Sequence, residues 1–400
     1  MTSVAEHQAA VRALLEAHWR PGAELVPLGA GLGRLLAEDV ATPIDLPPFD
    51  NSQMDGYAVR ADASAGPLRV SDHIAAGDPI HVFGGGAAAI MTGAPLPIGA
   101  DAVVPVEAVA TVEAAGAGGG FAAVGGTIEL PGPVAPGAFV RRRGSDLPTG
   151  ATLLPAGIRL GPPQLGALAA SGLEAVPVRA RPRVLVVSTG AELSPAGAPL
   201  PPGRIYDANA LSLSAAITAA GGIALATSVH SDDPDAFLSA LEAAGPVDLV
   251  VTSGGVSAGV HEVVREALAP LGVAFGSVAM QPGGPQGLGS VTVAGRPTPV
   301  LTFPGNPVSV LVSFEMYLRP VLVGPRPALR LPLAAPVDSI AEKHQVRRAR
   351  ITPEGTVELV GGPSSHLLAA YARSEALVHL PVGVAHVEAG EPVEVWRIDG

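Results

Sequence analysis

The strongest constraint on the fold is a repeat of continuous apolar segments between Arg181 and Val323. The segments RVLVVS, DLVVT and PVLTF each precede a polar loop, and helix-like segments such as NALSLSAAITAAGG and HEVVREALAP separate them. Short apolar runs without alternation are typical of strands that are buried on both faces of a parallel sheet. Parallel strands need long crossovers, so the pattern predicts an α/β domain in which helices cover both faces of the sheet.

The loops that follow these three segments are STGAEL, SGGVSAG and PGNPVS. In open α/β sheets, ligands bind at the carboxyl ends of the strands, where paired glycines and helix N-termini favour anions. Tight turns alone would explain one such loop, but three at one sheet edge favour a phosphate-binding site. The candidate substrate-binding residues in these segments are Ser188, Thr189, Gly190, Ser253, Gly254, Gly255, Ser257, Pro304, Gly305, Asn306 and Pro307.

Acidic residues form a second group of candidates: Asp55, Asp146, Glu192, Asp232 and Glu262. A lone carboxylate is usually a helix cap or a solvated surface group, and for Asp232, which precedes Pro234, capping and function are equally well supported. The loop positions of Glu192 and Glu262 favour function. Because a phosphate ligand near several carboxylates needs a cation between them, we expect Mg²⁺ as the cofactor, held by Glu192, Asp232 and Glu262.

Composition excludes several classes of protein. The 400 residues contain no cysteine, which excludes disulfide scaffolds and thiolate chemistry and is consistent with a cytoplasmic protein. The formal net charge of -12 disfavours nucleic acid as a partner. Glycine, proline or a charge interrupts every apolar run before the roughly 18 residues that a membrane span needs, and the first residues lack the pattern of a secretory signal.

The character of the sequence changes along the chain, which predicts four domains. Residues 1–21 and 179–325 form the α/β domain, and the first of these segments begins as a helix whose Ser3 and Glu6 have capping-box spacing. Residues 22–45 and 147–178 form a small α/β linking domain. Residues 46–146 form a β-rich domain inserted into it, and residues 326–400 form a C-terminal β domain with a hairpin and a final strand.

Seven motifs carry a resemblance to a known family. In order they are LPPFDNSQMDGYAVR, IMTGAPLPIGADAVV, VRRRGSD, RPRVLVVSTGAEL, IYDANA, SGGVSAG and FPGNPVSVLVSFE. The ordered set covers nearly the whole chain and resembles the molybdopterin molybdenumtransferase family, of the bacterial MoeA type and similar to the E domain of gephyrin. The resemblance implies a central three-layer α/β domain like that of MoaB and MogA, and a C-terminal domain like a β-barrel.

The resemblance also implies a function. Members of this family insert molybdenum from molybdate into adenylylated molybdopterin with Mg²⁺ and release AMP. They are elongated homodimers, with the cleft between the α/β domain of one subunit and the inserted domain of the other. A molybdopterin adenylyltransferase or a recipient molybdoenzyme is a further expected partner. The acidic residues above become catalytic candidates, and the additional substrate-binding candidates are Thr92, Arg141, Asp207, Asn209 and Pro282.

Three features near the expected site concern its charge. Arg141 to Arg143 are expected to supply a local positive field for anionic substrates. Glu262 and Arg265 stand where the family often has aspartate and lysine. In MQPGGPQG, Gln281 and Gly284 occupy the places of two family lysines, so molybdate binding is expected to be weaker. A glycine at position 284 is further expected to hold a positive φ that a lysine would strain.

Two other functions remain open. One is the preceding step, adenylyl transfer to molybdopterin, although that reaction does not need the inserted domain or the C-terminal domain. The other is a scaffold without turnover that binds cofactor intermediates or partner proteins. The missing lysines favour the scaffold, whereas the retained carboxylates favour an enzyme.

Overall fold

The structure is a computed structural model that describes residues 1–63, 66–112, 120–229, 231, 233–256 and 262–399. The chain divides into two compact units, one formed by Met1–Gly22 with Ala180–Gly400 and the other by Ala23–Arg179. Within the described residues, no helix is long and apolar enough to cross a membrane.

The first unit begins with the helix Val4–His18, as the capping-box spacing predicts. The Ser3 side chain accepts from the Glu6 backbone N–H at 3.2 Å, and the Glu6 carboxylate accepts from the Ser3 N–H at 2.8 Å. These two bonds satisfy backbone donors that a helix start otherwise leaves open. Val11 and Leu15 are buried one turn apart, and they join the core on one face of the central sheet.

The central sheet of the first unit has six strands. Their spatial order is Ile223–Val229, Arg183–Thr189, Leu249–Ser253, Arg296–Phe303, Pro285–Val293 and Ala274–Ser277. The first four are parallel, which confirms the prediction for all three apolar segments. Pro285–Val293 runs antiparallel to both of its neighbours, Arg296–Phe303 and Ala274–Ser277, and it joins Arg296–Phe303 through a two-residue turn at Ala294 and Gly295. Both turn residues have positive φ, and such turns join antiparallel neighbours.

Both faces of this sheet are covered. Val184 and Val186 of the strand Arg183–Thr189 belong to one core cluster, and Leu185 and Val187 belong to another. Successive side chains of a strand point to opposite faces, so an unbroken apolar run is what a doubly covered strand requires. Further α-helices among the described residues of this unit are Asn209–Ala219, Pro234–Ala243, Val263–Leu268, Pro307–Ser313, Arg319–Val323 and Leu368–Tyr371, and the π-helical segment Phe314–Leu318 joins two of them.

The C-terminal part of the first unit is a β structure, as predicted. Its principal strands, from one side to the other, are Val357–Leu359, His344–Ile351, Ala376–Leu380, Pro392–Arg397 and Ala328–Pro332. A bridge between Leu333 and Val357 joins the last strand back to the first, which closes a barrel-like ring. The short strand Met280–Gln281 pairs in parallel with the start of His344–Ile351, at His344 and Gln345. Val337–Asp338 pairs with His386–Val387.

The second unit contains a six-stranded sheet and three short pairs of strands. The sheet order is Ala102–Pro105, Gly56–Val59, Ala87–Ile90, Pro67–Ile74, Thr127–Glu129 and Ala110–Thr111. Two segments that flank this sheet in sequence pair with each other, because Ala23–Pro27 lies antiparallel to Ala175–Arg179. Val40–Ala41 likewise pairs with Thr152–Leu154, and Asn51–Ser52 with Val140–Arg141. The helix Pro162–Ala170 covers the flanking segments, with Leu168 buried.

Candidate functional site

A cavity of about 430 Å³ lies at the carboxyl ends of the parallel strands of the central sheet. We call it the strand-end cavity. The loops after all three apolar segments contribute to its wall. The candidates on the wall are Thr189, Gly190, Glu192, Asn209, Gly254, Gly255, Glu262, Gly305, Asn306 and Pro307. Its volume is within the range of pockets that hold small-molecule ligands.

The backbone at the base of this cavity is closely packed. Gly254 has a φ of +93°, and a Cβ placed on it would lie 2.6 Å from the Thr189 carbonyl oxygen. A Cβ on Gly305 would lie 3.3 Å from the Gly254 Cα, and Gly254 donates its N–H to the Phe303 carbonyl at 3.1 Å. These distances explain why two of the three loops carry glycine at these positions. A side chain at Gly254 would collide with the strand end at Thr189, and a side chain at Gly305 would press on the Gly254 backbone.

Asp207 lies beneath the cavity wall rather than on it. Its Oδ1 accepts hydrogen bonds at 3.0 Å from the Ser188 hydroxyl and from the backbone N–H groups of Asn209 and Ala210. Its Oδ2 accepts from the Ser228 hydroxyl at 2.9 Å. The carboxylate therefore joins two neighbouring strands to the start of the helix Asn209–Ala219. Ser188 and Ser253 are buried nearby, with their hydroxyl oxygens 3.5 Å apart.

Asn209 differs from its neighbours because one of its polar atoms has no partner. Its Nδ2 donates to the Gly305 carbonyl at 2.7 Å, which fixes the orientation of the side chain between two loops. Its Oδ1 is buried without a hydrogen-bond partner, although the residue, which is 8% exposed, lines the cavity. A buried amide oxygen that lacks a partner costs free energy, and a bound ligand that donates a hydrogen bond would remove that cost.

Two of the three predicted metal-binding carboxylates lie on the same cavity wall. Glu192 is exposed and folds back over Gly190, so that a Cβ on that glycine would lie 2.5 Å from Glu192 Oε2. Glu262 is half-buried and immediately precedes the helix Val263–Leu268. The third, Asp232, and also Ser257 lie outside the described residues. The described side chains contain no group of three or more histidine, aspartate or glutamate residues that could hold a metal ion.

The second unit contains the remaining acidic and basic candidates. Asp55 Oδ1 accepts from the Thr92 backbone N–H at 2.7 Å and from the Thr92 hydroxyl at 2.8 Å. These bonds favour the charged form and hold the pKa of the Asp55 carboxyl below its usual value. Arg141 is exposed and donates to the Gln53 carbonyl at 3.4 Å, and Asp146 is exposed nearby in sequence.

The expected positive field of Arg141 to Arg143 is smaller than the sequence suggests. Arg142 forms a salt bridge with Asp50 at 2.7 Å, and Arg143 forms one with Asp45. Two of the three guanidinium groups are thus paired with carboxylates, which sequence reasoning missed because Asp50 and Asp45 precede their partners by 92 and 98 residues. Arg141 is the arginine of this run that has no carboxylate partner among the described residues.

The segment with the two substituted lysine positions does not line the strand-end cavity. Gln281 belongs to the strand Met280–Gln281, and its side-chain oxygen accepts a hydrogen bond from Gln345 Nε2. Pro282 and Pro304 are buried. The expectation of a positive φ at Gly284 is wrong, because its φ is not in that region and an added Cβ would find its nearest atoms at 3.4 Å. The glycine of this segment with a positive φ is Gly283, at +97°.

Sequence reasoning also missed part of the cavity wall. Leu193, Ile205, Tyr206, Ala208, Val256 and Val263 line the cavity together with the polar residues. Ile205 and Tyr206 form a strand that pairs with Leu193–Ser194 directly after Glu192. The sequence could have indicated Ile205 and Tyr206 as cavity residues, because they belong to the motif IYDANA, whose Asp207 and Asn209 are candidates.

Comparisons with known proteins cover almost the whole chain. Residues 2–172 match the model of the MoeA N-terminal region (domain I and II), residues 185–324 match the "Probable molybdopterin binding domain", and residues 330–398 match the MoeA C-terminal region (domain IV). Molybdopterin molybdenumtransferase 2 of Mycobacterium tuberculosis is 43% identical, with 100% of both chains covered. The molybdopterin molybdenumtransferase of Synechococcus elongatus is 37% identical, with 93% of this chain and 94% of the relative covered.

A solved structure shows the same fold. The molybdopterin biosynthesis MoeA protein from Pyrococcus horikosii superposes with a TM-score of 0.80 and 32% identity, and 100% of each chain is covered. The fold defines a multidomain α/β protein whose central domain has a cavity at the ends of its parallel strands. The three family models and the full-length relatives are more specific: the chain belongs to the MoeA family of molybdopterin molybdenumtransferases.

Proposed function

We propose that this protein inserts molybdenum from molybdate into adenylylated molybdopterin, with Mg²⁺, and releases AMP. Full-length similarity to molybdenumtransferases supports the reaction class. The observation that carries the assignment of the site is the strand-end cavity, which is lined by glycine loops, by two carboxylates and by Asn209, whose buried side-chain oxygen has no partner. We further propose that the protein acts as a cytoplasmic homodimer with the four domains inferred from the sequence.

The residues of the cavity have separate roles in this proposal. The loops at Gly254–Gly255 and Gly305–Asn306 bring backbone close to the phosphate groups and the oxyanion. Asn209 Oδ1 accepts a hydrogen bond from a hydroxyl or N–H group of the substrate, and the Asp207 carboxylate holds Asn209 in place through its backbone N–H. Binding at fixed positions reduces the entropy lost when the reacting groups meet.

The donor set at the cavity suits Mg²⁺, because carboxylate and amide oxygens are the ligands that this ion prefers. Glu192 and Glu262, with Asp232, are the residues that would hold it. When bound, Mg²⁺ would neutralise phosphate charge and stabilise the departure of AMP. We propose Asp55, Thr92, Arg141 and Asp146 as residues that complete the site from the inserted domain of the second subunit.

The direct test is to incubate the pure protein with adenylylated molybdopterin and Mg²⁺, with and without molybdate, and to measure AMP. Release of AMP that depends on molybdate supports the proposal. Formation of adenylylated molybdopterin and pyrophosphate from molybdopterin and ATP would assign the preceding adenylyl transfer instead. Tight binding of adenylylated molybdopterin without turnover under any condition would assign a scaffold.

Mixing two inactive variants tests whether subunits share the site. Asp55→Ala and Glu192→Ala proteins should each be inactive, and a mixture should regain part of the activity through heterodimers that contain one intact site. Subunit exchange must be verified with differently tagged chains. No recovery in a mixture with verified heterodimers would contradict a shared site.

A further inference from the structure

Tyr206 is an exposed aromatic residue on the wall of the strand-end cavity. It is 45% exposed, and the neighbouring Ile205 is 56% exposed. Together with Leu193, Val256 and Val263 these residues give the cavity an apolar part, beside the polar part formed by Glu192, Asn209 and the glycine loops. A cavity lined both by glycine loops and polar groups and by apolar side chains suits a ligand with phosphate groups and a flat ring system.

The position of Tyr206 is fixed from both sides. Ile205 donates its N–H to the Glu192 carbonyl at 2.9 Å, and Asp207 donates its N–H to the Ser194 carbonyl at 2.9 Å. The Tyr206 hydroxyl donates to the Ala198 carbonyl at 3.0 Å. The backbone and the end of the ring are therefore held, although much of the residue remains open to solvent. A surface that is ordered before binding loses less conformational entropy when a ligand contacts it.

We propose that the Tyr206 ring is the surface on which a planar nitrogen heterocycle of the substrate stacks. This inference rests on the proposed function, whose substrate contains two such groups, an adenine and a pterin. Tyrosine is suited to the role because its ring stacks while its hydroxyl remains hydrogen-bonded. Stacking is tolerant of the identity of the heterocycle, so the polar residues of the cavity would select the orientation of the ligand.

The alternative is that Tyr206 only covers the loop at residues 195–203, to which its hydroxyl bonds. In that case the loop would depend on the tyrosine, but ligand affinity would not depend on an aromatic ring. The variants Tyr206→Phe and Tyr206→Leu separate these roles. Both remove the bond to Ala198, whereas only Tyr206→Phe keeps a ring.

The test measures the equilibrium binding of AMP by calorimetry and the binding of molybdopterin by its fluorescence. Each variant is measured at a temperature at which thermal unfolding shows it to be fully folded. Leu211→Ala is the control, because Leu211 is 73% exposed on the neighbouring helix and does not line the cavity. We expect Tyr206→Leu to weaken binding of at least one ligand by about tenfold or more, a typical effect of losing a stacking ring. Tyr206→Phe should weaken it by about threefold at most, and Leu211→Ala should not change it.

The two ligands distinguish which heterocycle stacks. Weaker AMP binding in Tyr206→Leu assigns the ring to adenine, and weaker molybdopterin binding assigns it to the pterin. Equal affinities of Tyr206→Leu and the parent for both ligands would overturn the inference and leave the proposed function intact. If the parent protein binds both ligands through Tyr206 but releases no AMP with molybdate, the stacking surface stands and the proposed reaction fails.

Discussion

The strand-end cavity and the candidate region of the inserted β-rich segment differ in how their polar groups are satisfied. In the cavity, Asn209 keeps a buried oxygen without a partner and Glu192 is exposed. In the inserted segment, Thr92 donates twice to Asp55 and Arg142 pairs with Asp50, while Arg143 pairs with Asp45, which directly precedes the segment. The cavity therefore has polar groups in place to meet a ligand. In the inserted segment, Asp55, Arg142 and Arg143 are exposed, as are Arg141 and Asp146, but the first three are already bonded to side chains of the same unit.

The largest effect should come from the backbone of the cavity. Gly254→Ala places a methyl group 2.6 Å from the Thr189 carbonyl oxygen and requires a φ of +93°. The unfavourable φ alone costs about 1–3 kcal/mol, and displacement of the Ser253 or Thr189 loop should abolish AMP release. Urea denaturation measures the change in the free energy of unfolding.

Gly197→Ala is the matched control for this substitution. Gly197 has a φ of +86°, but an added Cβ meets nothing within 4 Å. The decrease in the free energy of unfolding of Gly197→Ala therefore reports the cost of the positive φ alone. Gly254→Ala should show a larger decrease. Equal losses in the two variants, with turnover retained in both, would show that the close approach of the cavity loops is not required.

The next effect concerns the exposed carboxylate of the cavity. Glu192→Gln keeps the size of the side chain and removes the charge that is proposed to bind Mg²⁺. We expect at least about a tenfold increase in the Mg²⁺ concentration that gives half-maximal AMP release. Glu16→Gln on the first helix is the control for a general change in charge. A Mg²⁺ dependence identical to that of the parent protein would remove Glu192 from the metal site.

A smaller effect is expected where the family lysines are absent. Gly284→Lys restores one positive charge, and its Cβ makes only ordinary contacts of 3.4 Å or more. A charge pair at ~4 Å contributes between about 1 kcal/mol in water and about 4 kcal/mol at an effective dielectric of 20. The molybdate concentration for half-maximal AMP release should thus fall by about fivefold or more if the segment lies near the oxyanion, while binding of the adenylylated pterin should not change.

Gly284→Gln is the neutral control for that variant. Gln281→Lys is the less suitable test, because it removes the acceptor of the Gln345 amide and leaves a donor unpaired, which costs about 1–3 kcal/mol when the group is buried. If Gly284→Lys and Gly284→Gln need the same molybdate concentration at low salt, this segment does not contribute to oxyanion binding.

The smallest effect is expected from removing a hydrogen bond between Thr92 and Asp55 in the inserted segment. Thr92→Val removes the hydroxyl donor to Asp55, so the pKa of Asp55 should rise toward its ordinary value of 3.8. Since the folded pKa is lowered, the bonds stabilise the fold above about pH 3.8, and that contribution is lost as the pH falls through the folded value. The parent protein should therefore be slightly more stable than the variant at pH 7, and this difference should shrink as the pH falls below 3.8. An NMR titration of Asp55 that shows no change in pKa would contradict this account.

Sequence reasoning succeeded where the interacting residues are close together in the sequence and missed interactions between residues that are far apart in it. Local signals were sufficient for the capped helix at Ser3 and for the strand Arg183–Thr189, whose apolar run predicts burial on both faces. Sequence reasoning did not anticipate the salt bridges of Arg142 and Arg143, because their carboxylate partners are distant in sequence. The φ of Gly284 was wrong because a glycine is compatible with either sign of φ, and the surrounding chain decides between them.

The sequence by itself determined the family, the α/β class and the three loops that follow the buried strands, because periodicity, glycine pairs and ordered motifs are properties of neighbouring residues. The tertiary structure alone decided which of these groups are available to a ligand. Asp207 and Asn209 are two residues apart in one motif, yet Asp207 has four hydrogen-bond partners and Asn209 has a buried oxygen with none. That difference arises because the partners of Asp207 come from separate strands and a helix, and only folding brings those elements together.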